Sequence, residues 1–161
     1  MIIKSDNTAT NVLIKKVGFD YINQYIKNEL NLEETELNRF MLDNVARKNG
    51  KENYMNQKDM LKTFEALYNK RILNNSLCNL AINILKKQRS QDQIMRYIYD
   101  DVEFAHKTGV LDYINHDVGI ININNQIYYI GVSVYNCKEI KGDKQIVGKI
   151  GKIFYDNLKT E

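Results

Sequence analysis

Two residue types are missing from this chain, and two others are scarce. The 161 residues include no proline and no tryptophan, and only two cysteines and two histidines. Without proline, cis-proline turns are excluded and rigid loops are few. Cys78 and Cys137 have no metal-ligand partner nearby, so the sequence favours two buried free thiols over a disulfide. His106 and His116 lie on different segments without zinc spacing, so we expect no metal and no other cofactor.

Long apolar runs and an excess of one charge are also missing. No stretch approaches the ~18 apolar residues of a membrane span. The N-terminal Met1-Ile2-Ile3 lacks the basic residues and the apolar run of a signal peptide. The net charge of +3, from 23 basic and 20 acidic residues, is too small and too evenly spread to indicate nucleic acid. We therefore expect no membrane span and no nucleic-acid partner, and the location of the protein is not determined.

What the chain does contain is the balance of a soluble globular domain. Hydrophobic residues make up 43% of the sequence and charged residues 27%. A chain of this length fits one domain and buries roughly 70% of the surface that its unfolded form exposes. We expect a single domain over residues 1–161, mainly helical over 1–100, with a sheet and a closing helix over 101–161.

Apolar residues recur at helical spacing through most of the first hundred residues, which predicts a series of amphipathic helices. The first spans Asn7–Val17, begins with Ser5 and Asp6 as possible caps and stops at Gly18. Three more helices are predicted in the segments FDYINQYIKNEL, NQKDMLKTFEALYNKRI and NNSLCNLAINILKKQ.

Caps and inward faces can also be assigned in the last two of these helices. Asn56 is the expected cap of one, and Asn75 or Ser76 of the other. The segment Asn31–Asn53 is polar and mixed in pattern, which indicates a long ordered loop with one helical turn. The expected inward residues of the later helix are Leu77, Leu80, Ala81, Ile84 and Leu85.

After about residue 100 the apolar pattern changes from helical to alternating, which predicts strands. The segment Val102–Lys107 is a predicted strand that ends at Thr108-Gly109. The segments HDVGIININ and QIYYIGVSVY are two strands joined by a tight turn at Asn124-Asn125. A polar loop, Lys138–Lys144, and a helix, Gln145–Leu158, complete the chain. Helices followed by a hairpin sheet and a last helix predict an α+β fold.

Two short motifs gain meaning because they occur together. Ser5-Asp6-Asn7 opens a predicted helix, and Lys107-Thr108-Gly109 ends a predicted strand. Alone, the first is typical of a plain N-cap and the second of a strand end with a turn. Together, and in this order, they resemble the second and third motifs of the penicillin-recognising serine hydrolases, the class A β-lactamase family and its relatives. The segments SDNTATNVLI, TELNRFMLD and HKTGVLDYINHDVGII extend the resemblance over essentially the whole chain.

The resemblance implies a site for a β-lactam or a D-Ala-D-Ala cell-wall peptide. Such a ligand carries a carboxylate, for which Lys107 would supply the charge and Thr108 a hydroxyl. Gly109 would complete the substrate-binding strand, whose backbone pairs with the amide of the ligand. Ser5, near Lys107, would relay a proton to the leaving nitrogen as a catalytic residue. Asn7 would orient a catalytic lysine and bind a substrate carbonyl.

The nucleophile of this family is the serine of a Ser-x-x-Lys motif on a buried helix upstream. None of the four serines is followed by lysine three positions later. Ser133 also lacks the closing glycine of a nucleophile elbow. Only four residues precede Ser5, so we expect the chain to correspond to the C-terminal two-thirds of the family domain and to be inactive alone.

The family also carries a glutamate on its long loop that activates water for deacylation. Glu34 matches this position if a deletion is accepted before it. A register without gaps aligns a Thr-x-Leu-x-Arg string ending at Arg39 and puts Met41 in the glutamate position, where a thioether cannot accept a proton. We prefer that register, in which Arg39 would tie the loop to a carboxylate such as Asp43.

The sequence also predicts the positions of the two histidines and the environment of the last strand. By strand alternation His106 points away from Lys107, and we expect it to be packed rather than catalytic. His116-Asp117 is expected to be structural, a hydrogen-bonded pair across the hairpin. The family fold has a five-stranded sheet, of which two strands come from the missing part, so strand 127–135 would present an open edge. We expect a homodimer or a segment swap through that edge.

The leading functional expectation is a β-lactamase-like serine hydrolase domain, incomplete as it stands. In the complete parent it would catalyse acyl transfer or hydrolysis on a β-lactam or a cell-wall peptide. The alternatives are a non-catalytic ligand-binding or interaction module derived from that fold, and an unrelated α+β protein with chance motifs. Relatives act outside the bacterial cytoplasm, but this chain shows no export signal.

Overall fold

The structure, a computed structural model, describes residues 1–111, 114–135 and 140–159, with the side chains of 140–143 excepted. Cys137 and the start of the predicted loop Lys138–Lys144 lie outside these residues. Contacts between residues divide the chain into two compact units, Met1–Cys78 and Asn79–Glu161. The expectation of a single domain stays a prediction.

The first unit is helical, as predicted. Its first helix ends at Gly18, whose φ of 90° suits glycine, and begins at the cap Asp6, which accepts a hydrogen bond from the N–H of Ala9 at 2.7 Å. Asn56 caps the helix Gln57–Tyr68 in the same way, since its side chain accepts from the N–H of Asp59 at 2.7 Å. The helices are α1 (Asn7–Val17), α2 (Phe19–Asn28), α3 (Asn44–Lys48), α4 (Gln57–Tyr68) and α5 (Asn75–Leu85), of which the last reaches into the second unit.

The cap predicted for α5 was wrong, and its predicted inward face was right only in part. Asn74 is the cap, since its side chain accepts a hydrogen bond from the N–H of Leu77 at 2.9 Å. Leu77 and Leu80 are 46% and 53% exposed, whereas Cys78 is fully buried and Leu85 nearly so. Apolar residues surround this helix on nearly every side, so their spacing could not indicate which face is buried.

The second unit holds an antiparallel sheet of three strands in the order β1-β2-β3: Phe104–Leu111, Ile114–Ile123 and Gln126–Tyr135. The predicted turn at Asn124-Asn125 is confirmed, with positive φ at both residues. The predicted end of β1 was wrong. Thr108 and Gly109 lie inside the strand because they continue the ladder with Asp117 and His116.

A long helix, α6 (Ile140–Lys159), covers one face of this sheet. This helix begins before the predicted Gln145. The prediction missed its start because the first residues lack the apolar spacing that marks the rest of the helix. Gly148 and Gly151 let it approach a 3-10 segment, Ile94–Tyr97; a Cβ on Gly151 would lie 2.4 Å from the carbonyl oxygen of Ile94. The buried core between helix and sheet comprises Ile94, Ile98, Phe104, Ile121, Ile123, Ile130, Val132, Val147 and Tyr155.

The predicted architecture, helices with a remnant sheet of about three strands and a C-terminal helix, is confirmed. Among the described residues, no helix has both the length and the apolar character that crossing a bilayer requires.

Candidate functional site

Ser5 lies between a short 3-10 turn, Ile2–Lys4, and α1. Its φ of 50° and ψ of 44° are left-handed, which costs a residue other than glycine about 1–3 kcal/mol. Asp6 rather than Ser5 caps the helix. Ser5 and Asn7 are both exposed. Backbone strain of this kind is concentrated at functional sites, so it supports Ser5 as a candidate functional residue.

The same helix holds the long loop through Asn11. The side chain of Asn11 accepts a hydrogen bond from the N–H of Met41 at 2.7 Å and donates to its carbonyl oxygen at 3.0 Å. Asn7 and Asn11 are four residues apart and therefore lie on one face of α1. Met41 is thus held against the face of α1 that carries Asn7. Leu42 follows in a left-handed conformation, with φ of 62°.

Arg39 is buried and pairs with Glu52, not with the predicted Asp43. The distance from Nε of Arg39 to Oε1 of Glu52 is 2.8 Å. Partial burial opposes the ionisation of Glu52, but hydrogen bonds from the N–H of Asn53 and from Arg39 lower its pKa. Asp43 instead caps α3 by accepting from the N–H of Ala46 at 2.9 Å. The Asp43 carboxylate lies just before α3 and is used to cap that helix. The partner of Arg39 is therefore Glu52, which follows α3 in the chain.

Glu34 is held at a different helix. Its backbone N–H donates to Oδ2 of Asp59 at 3.0 Å, and the hydroxyl of Thr35 donates to the same oxygen at 2.8 Å. Asp59 is buried in the first turn of α4. Burial raises the pKa of Asp59, but these hydrogen bonds outweigh it and lower the pKa. Of the two loop candidates, Glu34 is therefore fixed at α4, and Met41 at α1.

The Lys107-Thr108-Gly109 motif lies within β1, and alternation separates its side chains. Lys107 and Gly109 share one face of the sheet, while His106 and Thr108 are on the other. Thr108 is only 8% exposed, whereas Lys107 is intermediate. The ammonium of Lys107 donates to the carbonyl oxygen of Thr108. The side chain of Thr108, whose hydroxyl was expected beside the ammonium, therefore lies on the opposite face of the sheet. Another side chain lies beside Lys107 on its own face.

That residue is His116, which lies opposite Gly109 in the ladder. A Cβ on Gly109 would come within 2.0 Å of Nε2 and 2.3 Å of Cδ2 of His116, so the imidazole covers the Gly109 backbone. Burial and the nearby ammonium of Lys107 lower the pKa of His116, and Asp117 acts in the opposite direction. Burial also lowers the pKa of Lys107, again against the effect of Asp117.

On the opposite face, His106 and Asp117 form a buried pair. Nδ1 of His106 is 2.8 Å from Oδ1 of Asp117, and the N–H of Ile94 donates to Oδ2 at 3.2 Å. The His106 ring is stacked on Phe104 with centroids 4.2 Å apart. The predictions that His106 is packed and faces away from Lys107 are confirmed. Asp117 does pair across the hairpin, but His116 faces the other way.

The structure therefore brings together two separate sets of residues. In the first unit, Asn7 and Met41 lie at one face of α1. In the second, Lys107, Gly109 and His116 lie at one face of the sheet. That the two sets share a cleft stays a prediction. Among the described residues, no group of three acidic, histidine or cysteine side chains is arranged to hold a metal.

Sequence reasoning missed Asn11 and His116. The four-residue spacing from Asn7 was a signal for Asn11, since it places both amides on one helix face. For His116, the register of β1 and β2 was needed, because only the pairing with Gly109 reveals that the imidazole lies on the face of Lys107.

Comparison with known proteins identifies the family of the chain. A model of the β-lactamase enzyme family matches residues 1–158. The chain belongs to the β-lactamase enzyme family. The alternative of an unrelated protein with chance motifs was therefore wrong. Among curated proteins, nothing matched.

Solved structures agree with this assignment. The β-lactamase from Sphaerobacter thermophilus DSM 20745 is 27% identical, with a TM-score of 0.86, over 98% of this chain and 60% of that one. A representative class A β-lactamase from Bacteroides cellulosilyticus DSM 14838 is 25% identical, with a TM-score of 0.85, over 99% and 61%. PBP-A shares the fold at 21% identity, with a TM-score of 0.88, over 100% and 59%. The chain thus spans about three-fifths of the length of these relatives.

Proposed function

We propose that this member of the β-lactamase family supplies the carboxylate-binding part of an acyl-transfer site for a β-lactam or a D-Ala-D-Ala cell-wall peptide. The observation that carries the proposal is Lys107, half-buried in strand β1 of a fold that belongs to this family. In the complete domain, the reaction would proceed through a serine ester and end in hydrolysis. The chain itself contains no Ser-x-x-Lys motif to form that ester.

The environment of Lys107 supports the role of an anion anchor. Burial opposes its protonation, as the lowered pKa indicates, so its ammonium is partly stripped of water. A charge in such a position acts more strongly on an incoming carboxylate than a fully hydrated one does. The ligand carboxylate would therefore be bound at Lys107.

The backbone of β1 supports the role of a substrate-binding strand. Within the described part of the sheet, β1 pairs only with β2, so its outer backbone groups form an edge of this sheet. An extended peptide, or the amide of a β-lactam side chain, can bind such an edge as an added strand. Thr108 and Gly109 would contribute through these backbone groups.

Ser5 and Asn7 suit the remaining roles chemically. A serine hydroxyl can both donate and accept a proton, which a relay to the leaving nitrogen requires. The Asn7 amide can donate to a substrate carbonyl and accept from a catalytic lysine. We assign these roles on the condition that the complete domain places both residues at Lys107.

Deacylation would be slow in such a domain. Asn11 holds Met41 at the face of α1 that carries Asn7, whereas Glu34 is held at α4. We assign Met41 to the position where class A enzymes hold the glutamate that activates water. Since a thioether cannot accept a proton, the serine ester would persist. A variant of PBP-A, which shares this fold, has been solved as an acyl-enzyme complex with penicillin G.

The first test measures covalent labelling. The chain is incubated with a fluorescent penicillin, denatured and separated by electrophoresis, beside a class A β-lactamase that carries its nucleophile. We expect a labelled band for the enzyme and none for this chain. A stable adduct on this chain would show that another of its nucleophiles acylates, contrary to the proposal.

The second test measures equilibrium binding of benzylpenicillin by calorimetry. Lys107→Ala is expected to lower the affinity about tenfold or more, since it removes a charge-assisted contact worth about 1.5–3 kcal/mol. Lys149→Ala is the matched control, because Lys149 is an exposed cation on α6. The proposal fails if the unmodified chain does not bind, or if the two variants lose affinity equally.

A non-catalytic binding module is the second candidate function. The observation in its favour is that Lys107, Thr108 and Gly109 lie in β1 while the chain contains no Ser-x-x-Lys motif. Addition of the upstream part of a family member, with its own nucleophile, separates the two candidates. Covalent labelling of the added serine supports acyl transfer, and binding without labelling supports the module.

A further inference from the structure

We propose that Asp117 is a positioning residue of this site, a buried carboxylate that acts through the sheet to keep Lys107 cationic. This role rests on the proposed function, in which Lys107 binds a ligand carboxylate as an ammonium. It also gives a reason for the buried pair of Asp117 and His106, to which the proposed function assigns no part.

The Asp117 carboxylate is fixed behind the sheet. Asp117 is fully buried, on the face opposite Lys107. Nδ1 of His106 lies 2.8 Å from its Oδ1, and the N–H of Ile94 donates to its Oδ2 at 3.2 Å. The two contacts come from β1 and from the 3-10 segment, so each carboxylate oxygen is held by a different element. The negative charge therefore has a defined position relative to β1.

Packing alone does not account for this buried pair. Nε2 of His106 is buried and has no hydrogen-bond partner among the described residues. A buried carboxylate accompanied by an unsatisfied polar atom is costly, and apolar residues of similar volume are often neutral or stabilising in such a place. The adjoining core is apolar and includes Ile94 and Phe104, whose ring is stacked on His106. The cost of the pair points to a role beyond packing.

The register of β1 and β2 places this carboxylate close to Lys107. Asp117 is opposite Thr108 and Val118 is opposite Lys107, so the two charged residues are one step apart in the ladder. Directly opposite Cα atoms in an antiparallel pair are about 4.5–5.5 Å apart. Because the two side chains leave opposite faces, the sheet backbone rather than bulk solvent separates their charges. Charges act on each other more strongly across such a medium than across water.

The electrostatics of the two basic groups agree with this placement. Burial lowers the pKa of Lys107 below its ordinary 10.5, and the Asp117 carboxylate opposes that effect. Burial and the ammonium of Lys107 lower the pKa of His116, and Asp117 again acts in the opposite direction. One carboxylate behind the sheet thus favours the cationic form of both groups in front of it.

The other titratable groups around this part of the sheet do not interfere with a test at alkaline pH. On the face of Lys107, His116 is neutral above about pH 8 because its pKa is lowered, and Tyr129 is neutral because burial raises its pKa to about 12. Charged side chains of the 3-10 segment and α6 have contacts of their own: Arg96 with Tyr97, Lys144 with Asp92, Lys152 with Asp156, and Lys159 with Asp100.

The sign of the pH dependence follows from the charge that Lys107 loses. Affinity for a carboxylate is constant below the pKa of Lys107 in the free chain and falls as the pH rises through that pKa. Removal of the Asp117 carboxylate lowers this pKa further, because burial then acts without opposition from that charge. The loss of affinity should therefore begin at a lower pH.

The first experiment measures the pKa of Lys107 by NMR on isotope-labelled lysine side chains, without ligand, with Lys107→Ala to assign the signal. We expect Asp117→Asn to lower this pKa. Asp59→Asn is the matched control, because Asp59 is an equally buried carboxylate in the first unit, and it should leave the pKa of Lys107 unchanged. An unchanged pKa in folded Asp117→Asn would overturn the role of Asp117.

Two further variants separate charge from structure. His106→Gln with Asp117→Asn replaces both partners by amides that can bond to each other, so it remains informative if the single Asp117 variant does not fold. It lacks the carboxylate and should lower the pKa of Lys107 as well. His106→Gln alone keeps the carboxylate and should not lower it. An equal decrease in all folded variants would mean that the pair acts only through structure, contrary to the proposal.

The second experiment measures benzylpenicillin binding by calorimetry at about pH 7 and about pH 9.5. We expect Asp117→Asn to bind like the unmodified chain at the lower pH and about tenfold more weakly at the higher one. If Lys107→Ala weakens binding while Asp117→Asn changes neither the pH dependence nor the pKa of Lys107, the role of Asp117 is wrong and the proposed function stands. If the unmodified chain does not bind, the proposed function fails and this role fails with it.

Discussion

At the scale of single residues, Gly109 matters for the space it leaves. Its φ is not in the left-handed region, so the backbone there would accept other residues. A methyl group, however, would lie 2.0 Å from Nε2 of His116, where no two such atoms can remain. The glycine of the motif is therefore explained here by a side chain from the neighbouring strand.

We predict that Gly109→Ala displaces the imidazole of His116 and leaves the fold intact, because a side chain can rotate away from the new methyl group. The pKa of His116 should rise, because the ring leaves the buried position beside Lys107 that lowers it. Proton NMR titration of the unmodified chain and the variant measures this, with His116→Gln assigning the imidazole signals. An unchanged pKa of His116 would show that the imidazole stays in place and that this explanation of Gly109 is wrong.

At the scale of elements, the long loop is held by polar side chains of the helices around it. Asn11 of α1 binds the backbone of Met41, and Asn23 of α2 binds that of Leu37. Asp59 of α4 accepts hydrogen bonds from the start of the loop. The loop thus acquires order from hydrogen bonds to side chains of three helices.

We predict that Asn11→Ala loosens the loop around Met41. The substitution removes two hydrogen bonds and leaves the N–H of Met41 without that acceptor, which costs about 1–3 kcal/mol. Amide hydrogen exchange at residues 40–43 should become at least tenfold faster while exchange in the β-sheet changes little. Asn28→Ala, at the exposed end of α2, is the control. Unchanged exchange at Met41 would refute the anchoring role of Asn11.

At the scale of the whole molecule, one surface of the second unit has no cover among the described residues. Ile146, Ile150 and Ile153 are 42%, 42% and 63% exposed and form a stripe along α6. They lie on the flank of α6 opposite Gly148 and Gly151, which face the 3-10 segment near Ile94. The adjacent edge of β3, Gln126–Tyr135, carries no charge and no proline, the usual protections of an edge strand.

The geometry of this surface suits a second copy of the chain. An antiparallel pair of β3 strands would have a two-fold axis between them, with strands about 4.8 Å apart. Since α6 contacts both β2 and β3, the two copies of α6 would lie on the same face of the extended sheet, on either side of this axis. We propose a homodimer in which β3 extends the sheet and the two stripes meet.

We predict a dimer at micromolar concentration, measured by sedimentation. Ile150→Lys should dissociate it, because two cations would be buried at the axis-facing stripes. Leu80→Lys, at an exposed apolar position of α5, is the control and should remain dimeric. A chain that stays monomeric up to about 100 µM would overturn the homodimer, and dissociation only on addition of an upstream family segment would identify that segment as a competing occupant.

The sequence by itself determined the order of elements, several helix ends and the family. Asp6, Gly18 and Asn56 act through hydrogen bonds or dihedral angles within a few residues, so their effects can be predicted from neighbours alone. The hairpin at Asn124-Asn125 is local in the same sense. The motifs Ser5-Asp6-Asn7 and Lys107-Thr108-Gly109 together indicated the family, which the comparison confirmed.

Tertiary structure alone decided which partner each functional side chain has. The pairing of Arg39 with Glu52, the hold of Asn11 on Met41 and the position of His116 over Gly109 all join residues that are distant in the chain or on neighbouring strands. The physical reason is that strand register and loop path depend on the packing of the whole unit, whereas periodicity and capping report only on the nearest residues.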